Sequence, residues 1–204
     1  MARTKTDVNR AEHIIQAAEE LFARYGYERT SIEDIAKHLG IGKGSVYLDF
    51  RTKEDILFTI LERHAQFLMG RVKEKLDAKN RSALEILSEI FRENPGSCYE
   101  RVTRDIHTPE ALLHSSIQMK KRFSHYFIEK RQMLLMLLKR AAEQGEIPPE
   151  NASEDVARAL MQASCSLYPP YLDNYSEEMS MPPKEEFLRR GQILFDLLIK
   201  GLKS

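Results

Sequence analysis

Along nearly the whole chain apolar residues recur at i, i+3, i+4 and i+7, and no stretch alternates apolar with polar between turn residues. That period lays one apolar stripe along a helix, whereas a half-buried strand needs a period of two. The chain therefore reads as all-α, about nine helices in total, with glycines, prolines and capping hydroxyls marking their ends. Repeats and low-complexity tracts are absent from the sequence.

The punctuation places each helix. Ile14, Ile15, Ala18, Leu21, Phe22 and Tyr25 form the stripe of a first helix, about Arg10 to Tyr25, which Gly26 ends. Ser31 caps a short second helix, with Asp34 three residues on, and Leu39-Gly40 closes it. Gly42 opens a third short helix through about Asp49. Thr52 caps a long fourth helix to about Lys79, carrying Ile56, Ile60, Leu61, Phe67, Leu68, Val72 and Leu76. A fifth, Ser82 to Asn94, is expected to end at Pro95, with a further helical stretch to about His107 before Thr108-Pro109. Glu110 to Gln144 reads as one helix or two, ended by Gly145. Ser153 caps a segment to about Tyr168, and a proline-framed loop precedes the last helix, Lys184 to Lys203.

Thirty-one Lys and Arg balance 31 Asp and Glu, so any surface for nucleic acid must be local. Even through Lys53 the count is nine against eight. The two cysteines, Cys98 and Cys165, lack CxxC spacing, which suits a reducing compartment. The longest apolar run, Met133 to Leu138, is six residues against the ~20 that span a bilayer. The basic, polar start carries no apolar h-region of a signal peptide. A cytoplasmic protein without membrane contact is expected.

Two short helices joined by a tight turn and preceded by a longer one are the parts of a helix-turn-helix bundle. Helices this short are marginal alone, so Ile35, Leu39, Ile41, Val46 and Phe50 must pack on the first helix, leaving the opposite face for a DNA groove. The order of residue types is specific. Ile14-Ile15-x-Ala17-Ala18-x-x-Leu21-Phe22-x-x-Tyr25-Gly26-Tyr27-x-x-Thr30-Ser31-Ile32-x-Asp34-Ile35-Ala36 is followed by Leu39-Gly40-Ile41-x-Lys43-Gly44-Ser45-Val46-Tyr47-x-x-Phe50-x-x-Lys53-Glu54. This block, roughly a fifth of the chain, resembles the signature of the TetR family of transcriptional regulators.

The resemblance implies a helix-turn-helix DNA-binding domain, 1–53, and a ligand-binding and dimerisation domain, 54–204. It implies contacts to double-stranded operator DNA from Thr30, Ser31, Lys43, Gly44, Ser45, Tyr47, Leu48 and Lys53. Thr30 and Ser31 stand at a helix start, where hydroxyls and free amides suit a phosphate, although plain capping accounts for them too. Lys43 suits a guanine edge or a phosphate. Tyr47 matches a phosphate-donating tyrosine of the family, or packs. Lys53 sits at the unfavourable end of a helix dipole, which points to a phosphate. Two departures stand out: Gly42 replaces the more usual Ser or Thr cap, and Leu48-Asp49 replaces an aromatic-histidine pair. Asp49 repels phosphate unless turned away or bonded to a cytosine amine. Arg3, Lys5 and Arg10 form either a minor-groove arm or a solvated tail.

Beyond residue 54 the sequence carries no comparable motif. Val156, Leu160, Ala163 and Leu167, with Phe187, Gly191, Phe195 and Leu198, form two stripes that suit a four-helix homodimer interface, the family arrangement, or burial within one subunit. Phe58, His64, Phe67, Phe91, Tyr99, Phe123, Phe127 and Tyr168 are candidates to line a pocket for an apolar or amphipathic small molecule, with Met133 and His125 beside them, or to be core. No cofactor and no metal are expected: Pro109 separates His107 from His114, and HExxH, GxSxG and a phosphate-cradling glycine loop are missing from the sequence. A helical enzyme or a ligand-independent architectural DNA-binding protein are the alternatives, the latter disfavoured by the balanced charge.

Overall fold

The computed structural model describes residues 5–78, 80–105, 121–165, 167 and 182–204. They form eight α-helices: α1 (Lys5–Tyr25), α2 (Ile32–His38), α3 (Lys43–Tyr47), α4 (Lys53–Asp77), α5 (Ala83–Asp105), α6 (Ser124–Glu143), α7 (Glu154–Cys165) and α8 (Lys184–Lys203), with a 3-10 turn at Pro149–Asn151. The described residues hold no strand. Tyr168, His107 and His114 lie outside them, as do the side chains of Cys98 and Cys165.

The local signals act as their chemistry requires. Gly26 takes φ +85° after α1 and Gly40 φ +67° after α2, the left-handed conformation that ends a helix. Ser31 and Thr52 each form a reciprocal capping box with an aspartate three residues on. Helix α1 begins at Lys5, ahead of the expected Arg10. Its start is anchored because Arg10 Nε donates to Asp49 Oδ2 at 2.7 Å, so Arg10 belongs to the fold and not to a disordered arm.

Helix α5 corrects the sequence reading at Pro95. It runs unbroken to Asp105 although proline lacks the amide that would bond four residues back. Tertiary packing on both sides of Pro95 holds it: Phe91 stacks on Phe195 of α8 at 3.9 Å, and Tyr99 on Phe187 at 4.9 Å. A Cβ on Gly96 would meet Leu188 at 3.3 Å, so α8 lies hard against this turn. Helix α5 is the central element, touching α1, α4, α6 and α8.

The other end of α4 is fixed by α6. Arg140 donates to the carbonyls of Leu76, Ala78 and Arg81, while Gln144 and Glu146 accept the amides of Ala83 and Leu84. Backbone groups at the α4–α5 turn, which helix ends leave unpaired, are thus satisfied by side chains. Arg71 and Lys75 of α4 and Arg81 of the turn pair with Glu89 and Glu93 of α5. Buried apolar residues form one cluster from Ala11 to Leu202, so α4 joins the N-terminal bundle to the larger helical body without a break in the core.

Candidate nucleic-acid interface

Helices α2 and α3 are held on α1 by Ile35, Val46 and Phe50, all buried. With Val46 turned inward, Lys43, Gly44, Tyr47 and Leu48 share the outward face of α3, spaced i, i+1, i+4 and i+5. Tyr47 is 45% exposed and Leu48 74%, two adjacent apolar side chains left open to a partner. Ser45 is half-buried at the edge of this face. A Cβ on Gly44 would meet nothing within 4 Å, so the glycine is not required by the fold.

Lys43 is engaged across the turn. Its ammonium pairs with the Glu33 carboxylate of α2 and lies 5.5 Å from the centre of the Tyr47 ring. Hydrogen bonding to Lys43 lowers the Glu33 pKa, and the same bond raises that of Lys43. Glu33 did not figure among the sequence candidates, because its ten-residue separation from Lys43 matches no local pairing rule; only the helix-turn-helix geometry brings them together.

The structure corrects Thr30. Its side chain is buried, 3% exposed, and its hydroxyl donates to the Gly26 carbonyl at 2.9 Å, so it closes the end of α1 and has no face for a phosphate. Ser31 stays at the surface, but its amide and hydroxyl both donate to Asp34, at 2.9 and 2.6 Å. Lys53 also has a structural role that the sequence reading did not give it. Its ammonium donates to the Tyr27 carbonyl at 2.7 Å and sits 4.2 Å from the Tyr27 ring centre, and burial lowers its pKa from the ordinary value. It ties the start of α4 to the loop after α1, with part of its surface outward.

Asp49, the carboxylate that would repel DNA, is turned away: its side chain is 2% exposed against Arg10. Other acids of the bundle are also engaged, Glu12 with Arg63 and Glu33 with Lys43, and Glu20 lies 3.2 Å from His38. Arg24, Arg29, Lys37 and His38 line an open cleft of about 690 Å³ between α1 and α2 together with the Asp34 carboxylate, whose pKa the Ser31 hydrogen bonds and Lys37 lower. Of the acids near this surface, Asp49 is thus turned inward, Glu33 is held by Lys43 and Asp34 shares the cleft with the basic residues.

These features have counterparts in known proteins. The family of bacterial regulatory proteins named tetR matches residues 14–60, which span α2, α3 and their packing partners. The chain is similar to the HTH-type transcriptional regulator YezE of Bacillus subtilis, 28% identical over 170 residues, 76% of this chain and 81% of that protein. Residues 14–60 are thus a TetR-family segment. The fold of the chain follows that of a transcriptional regulator from Cytophaga hutchinsonii, TM-score 0.72 at 18% identity, over 95% of this chain and 98% of the other. A fatty acid metabolism regulator protein of Bacillus subtilis is 40% identical over 82 residues, 38% of this chain and 42% of that protein. The matched segment is the helix-turn-helix of that family, and the relative matched over most of this chain is a transcriptional regulator.

The remaining candidates fall in two groups. Phe187, Gly191, Phe195, Leu160 and Leu167 are buried within the subunit; Leu167 fills the space beside Gly191, where a Cβ would meet it at 3.0 Å. They close the subunit and leave no surface for a partner, a correction to the dimer stripe. Val156, Ala163 and Leu198 stay half-exposed, while Ile193 and Leu197 are 50% and 62% exposed on the outer face of α8.

Among pocket candidates, Phe58 and Phe123 meet edge-to-face at 6.3 Å, while Phe91 and Tyr99 turn to α8. His64 Nε2 lies 3.4 Å from the Ser97 hydroxyl, and Phe127 is half-buried. Phe67 is 60% exposed, which corrects its place in the buried stripe of α4. A cavity beside Phe91, Pro95 and Leu188 holds about 110 Å³, below the ~300 Å³ of a usual ligand pocket. No helix among the described residues is long and apolar enough to cross a membrane, and none of their His, Cys, Asp and Glu side chains gather as a metal site.

Proposed function

We propose that this regulator is a repressor that binds a palindromic operator as a homodimer and is released by a small-molecule inducer. The outward face of α3 carries the reading: Lys43, Gly44, Tyr47 and Leu48 stand exposed together on a helix of the size a major groove admits. Residues 1–53 serve DNA and 54–204 serve ligand and dimer, with Lys53 and Ser31 at the backbone. The dimer face is the outer side of α7 and α8, Val156, Ala163, Leu198, Ile193 and Leu197, since the deeper half of each stripe is used inside the subunit.

The fixed end of α4 at Arg140 supports the switching mechanism. Ligand in the helical body would tilt α4 about that end and change the spacing of the two reading heads. Ligand must favour the non-DNA state, and a coupling of ~1 to 3 kcal/mol gives roughly a 5- to 150-fold change in DNA affinity. An apolar or amphipathic ligand is in keeping with the relative that regulates fatty acid metabolism. Selection from a random DNA pool, followed by salt titration against scrambled duplex, tests the reading. A palindromic consensus bound far more tightly than scrambled DNA is expected; failure of the folded protein to enrich any sequence, with no ligand carried through purification, would overturn it.

A further inference from the structure

An acidic side chain sits beside the face proposed to meet DNA. Glu33 stands on the first turn of α2, exposed, with its carboxylate on the Lys43 ammonium. Wherever Lys43 meets DNA, Glu33 is within one ion pair of the same place. As a stabilising contact the pair is weak, because both side chains are about half exposed and exposed pairs contribute little. As a phosphate contact it is unfavourable, since the carboxylate repels the backbone that Lys43 would neutralise.

The pair does fit one base-pair edge. In the major groove a guanine offers O6 and N7 as acceptors, and its cytosine offers the N4 amine as a donor. Guanine O6 and cytosine N4 are joined by a base-pairing hydrogen bond of about 2.9 Å. A cation and a carboxylate held against each other therefore match adjacent groups of one G·C pair, the ammonium on O6 and N7 and the carboxylate on N4. An A·T pair puts the adenine amine where the ammonium needs an acceptor, and a C·G pair reverses the order.

We propose that Glu33 is a specificity-determining residue that, as an ion pair with Lys43, reads one oriented G·C pair in each half-site and keeps Lys43 off the phosphates. This rests on the reading of α3 as the DNA-recognition helix. A repulsive group aimed at wrong sites is one of the two ways an interface gains specificity. Removing the charge should therefore have opposite effects on the two kinds of DNA.

The full-length protein, as wild type, Glu33→Gln and Glu33→Ala, would be used in selection from a randomised duplex library and in salt titrations on a scrambled duplex. Unfolding curves would confirm that the variants fold. Expected is a consensus with one fixed G·C pair per half-site, whose preference over the other pairs falls roughly 5- to 150-fold in both variants. Scrambled duplex should bind more tightly, with the logarithmic salt slope steeper by about 0.9 per subunit as Lys43 reaches a phosphate. Variants that keep the wild-type consensus and scrambled-DNA affinity would overturn the proposal, as would variants that weaken all sequences alike. A folded wild type that enriches no sequence would instead overturn the DNA-binding reading, and this proposal with it.

Discussion

At the scale of single residues, what decides the surface is where each polar group spends its hydrogen bonds. Thr30 and Asp49 look alike in sequence, as polar residues beside the reading helix, and both are turned inward. Thr30 closes a helix end, and Asp49 fastens α1 to the end of α3 through Arg10. The sequence raised the Asp49 problem and offered inward turning as one resolution, but naming Arg10 needed a contact 39 residues apart. Asp49→Ala should lower stability by about 1.5–3 kcal/mol, the worth of a hydrogen bond to a charged group that then loses its partner. Urea unfolding measures it; a midpoint equal to wild type would show that Arg10 finds other partners at no cost.

At the scale of elements, caps and glycine stops were legible and continuity through proline was not. Ser31 with Asp34, Thr52, Gly26 and Gly40 act locally, within four residues, so a linear reading finds them. Pro95 is a local stop signal overridden by stacking of Phe91 and Tyr99 on α8, about 90 to 100 residues away in the chain, which no period announces. The α4–α5 ion network belongs to this scale too. Arg81 and Lys75 hold the Glu89 carboxyl down at about 2, below its ordinary 4.5. A depressed acid contributes fully above the ordinary value, and its contribution is lost as pH falls through the folded one. Wild type should therefore lose stability between pH about 4.5 and about 2 more steeply than Glu89→Gln, while at pH 7 the substitution costs under about 1 kcal/mol because the groups are partly exposed. Denaturant melts at stepped pH check this; parallel curves for the two proteins would refute the coupling.

At the scale of the molecule, one continuous core leaves apolar side chains exposed in pairs at the tip of α3 and on the outer face of α8, besides Tyr25, Phe67, Ile128 and Met136 elsewhere. The all-α class and the helix-turn-helix were legible because amphipathic period and motif both act within short segments. The division of each C-terminal stripe into buried and outward halves was not, since Phe195 and Leu198 lie on one stripe and only their neighbours in the fold bury the first and leave the second half-exposed. Leu197→Glu should leave subunit stability within about 0.5 kcal/mol, as an already exposed position, yet convert a dimer to monomer. Light scattering at micromolar concentration measures it, and a dimer that persists in the variant would place the interface elsewhere.

The claim that α3 reads DNA through its outward face is tested most directly at Gly44. Open space surrounds the position, so Gly44→Glu should fold and melt like wild type, with helix propensity slightly improved. On DNA the new carboxylate would meet bases and phosphates at close range, a like-charge contact that costs several kcal/mol. Fluorescence anisotropy with a selected duplex should show the dissociation constant rising more than about 100-fold. A Gly44→Glu protein that binds that duplex as wild type does would mean that another surface holds the DNA.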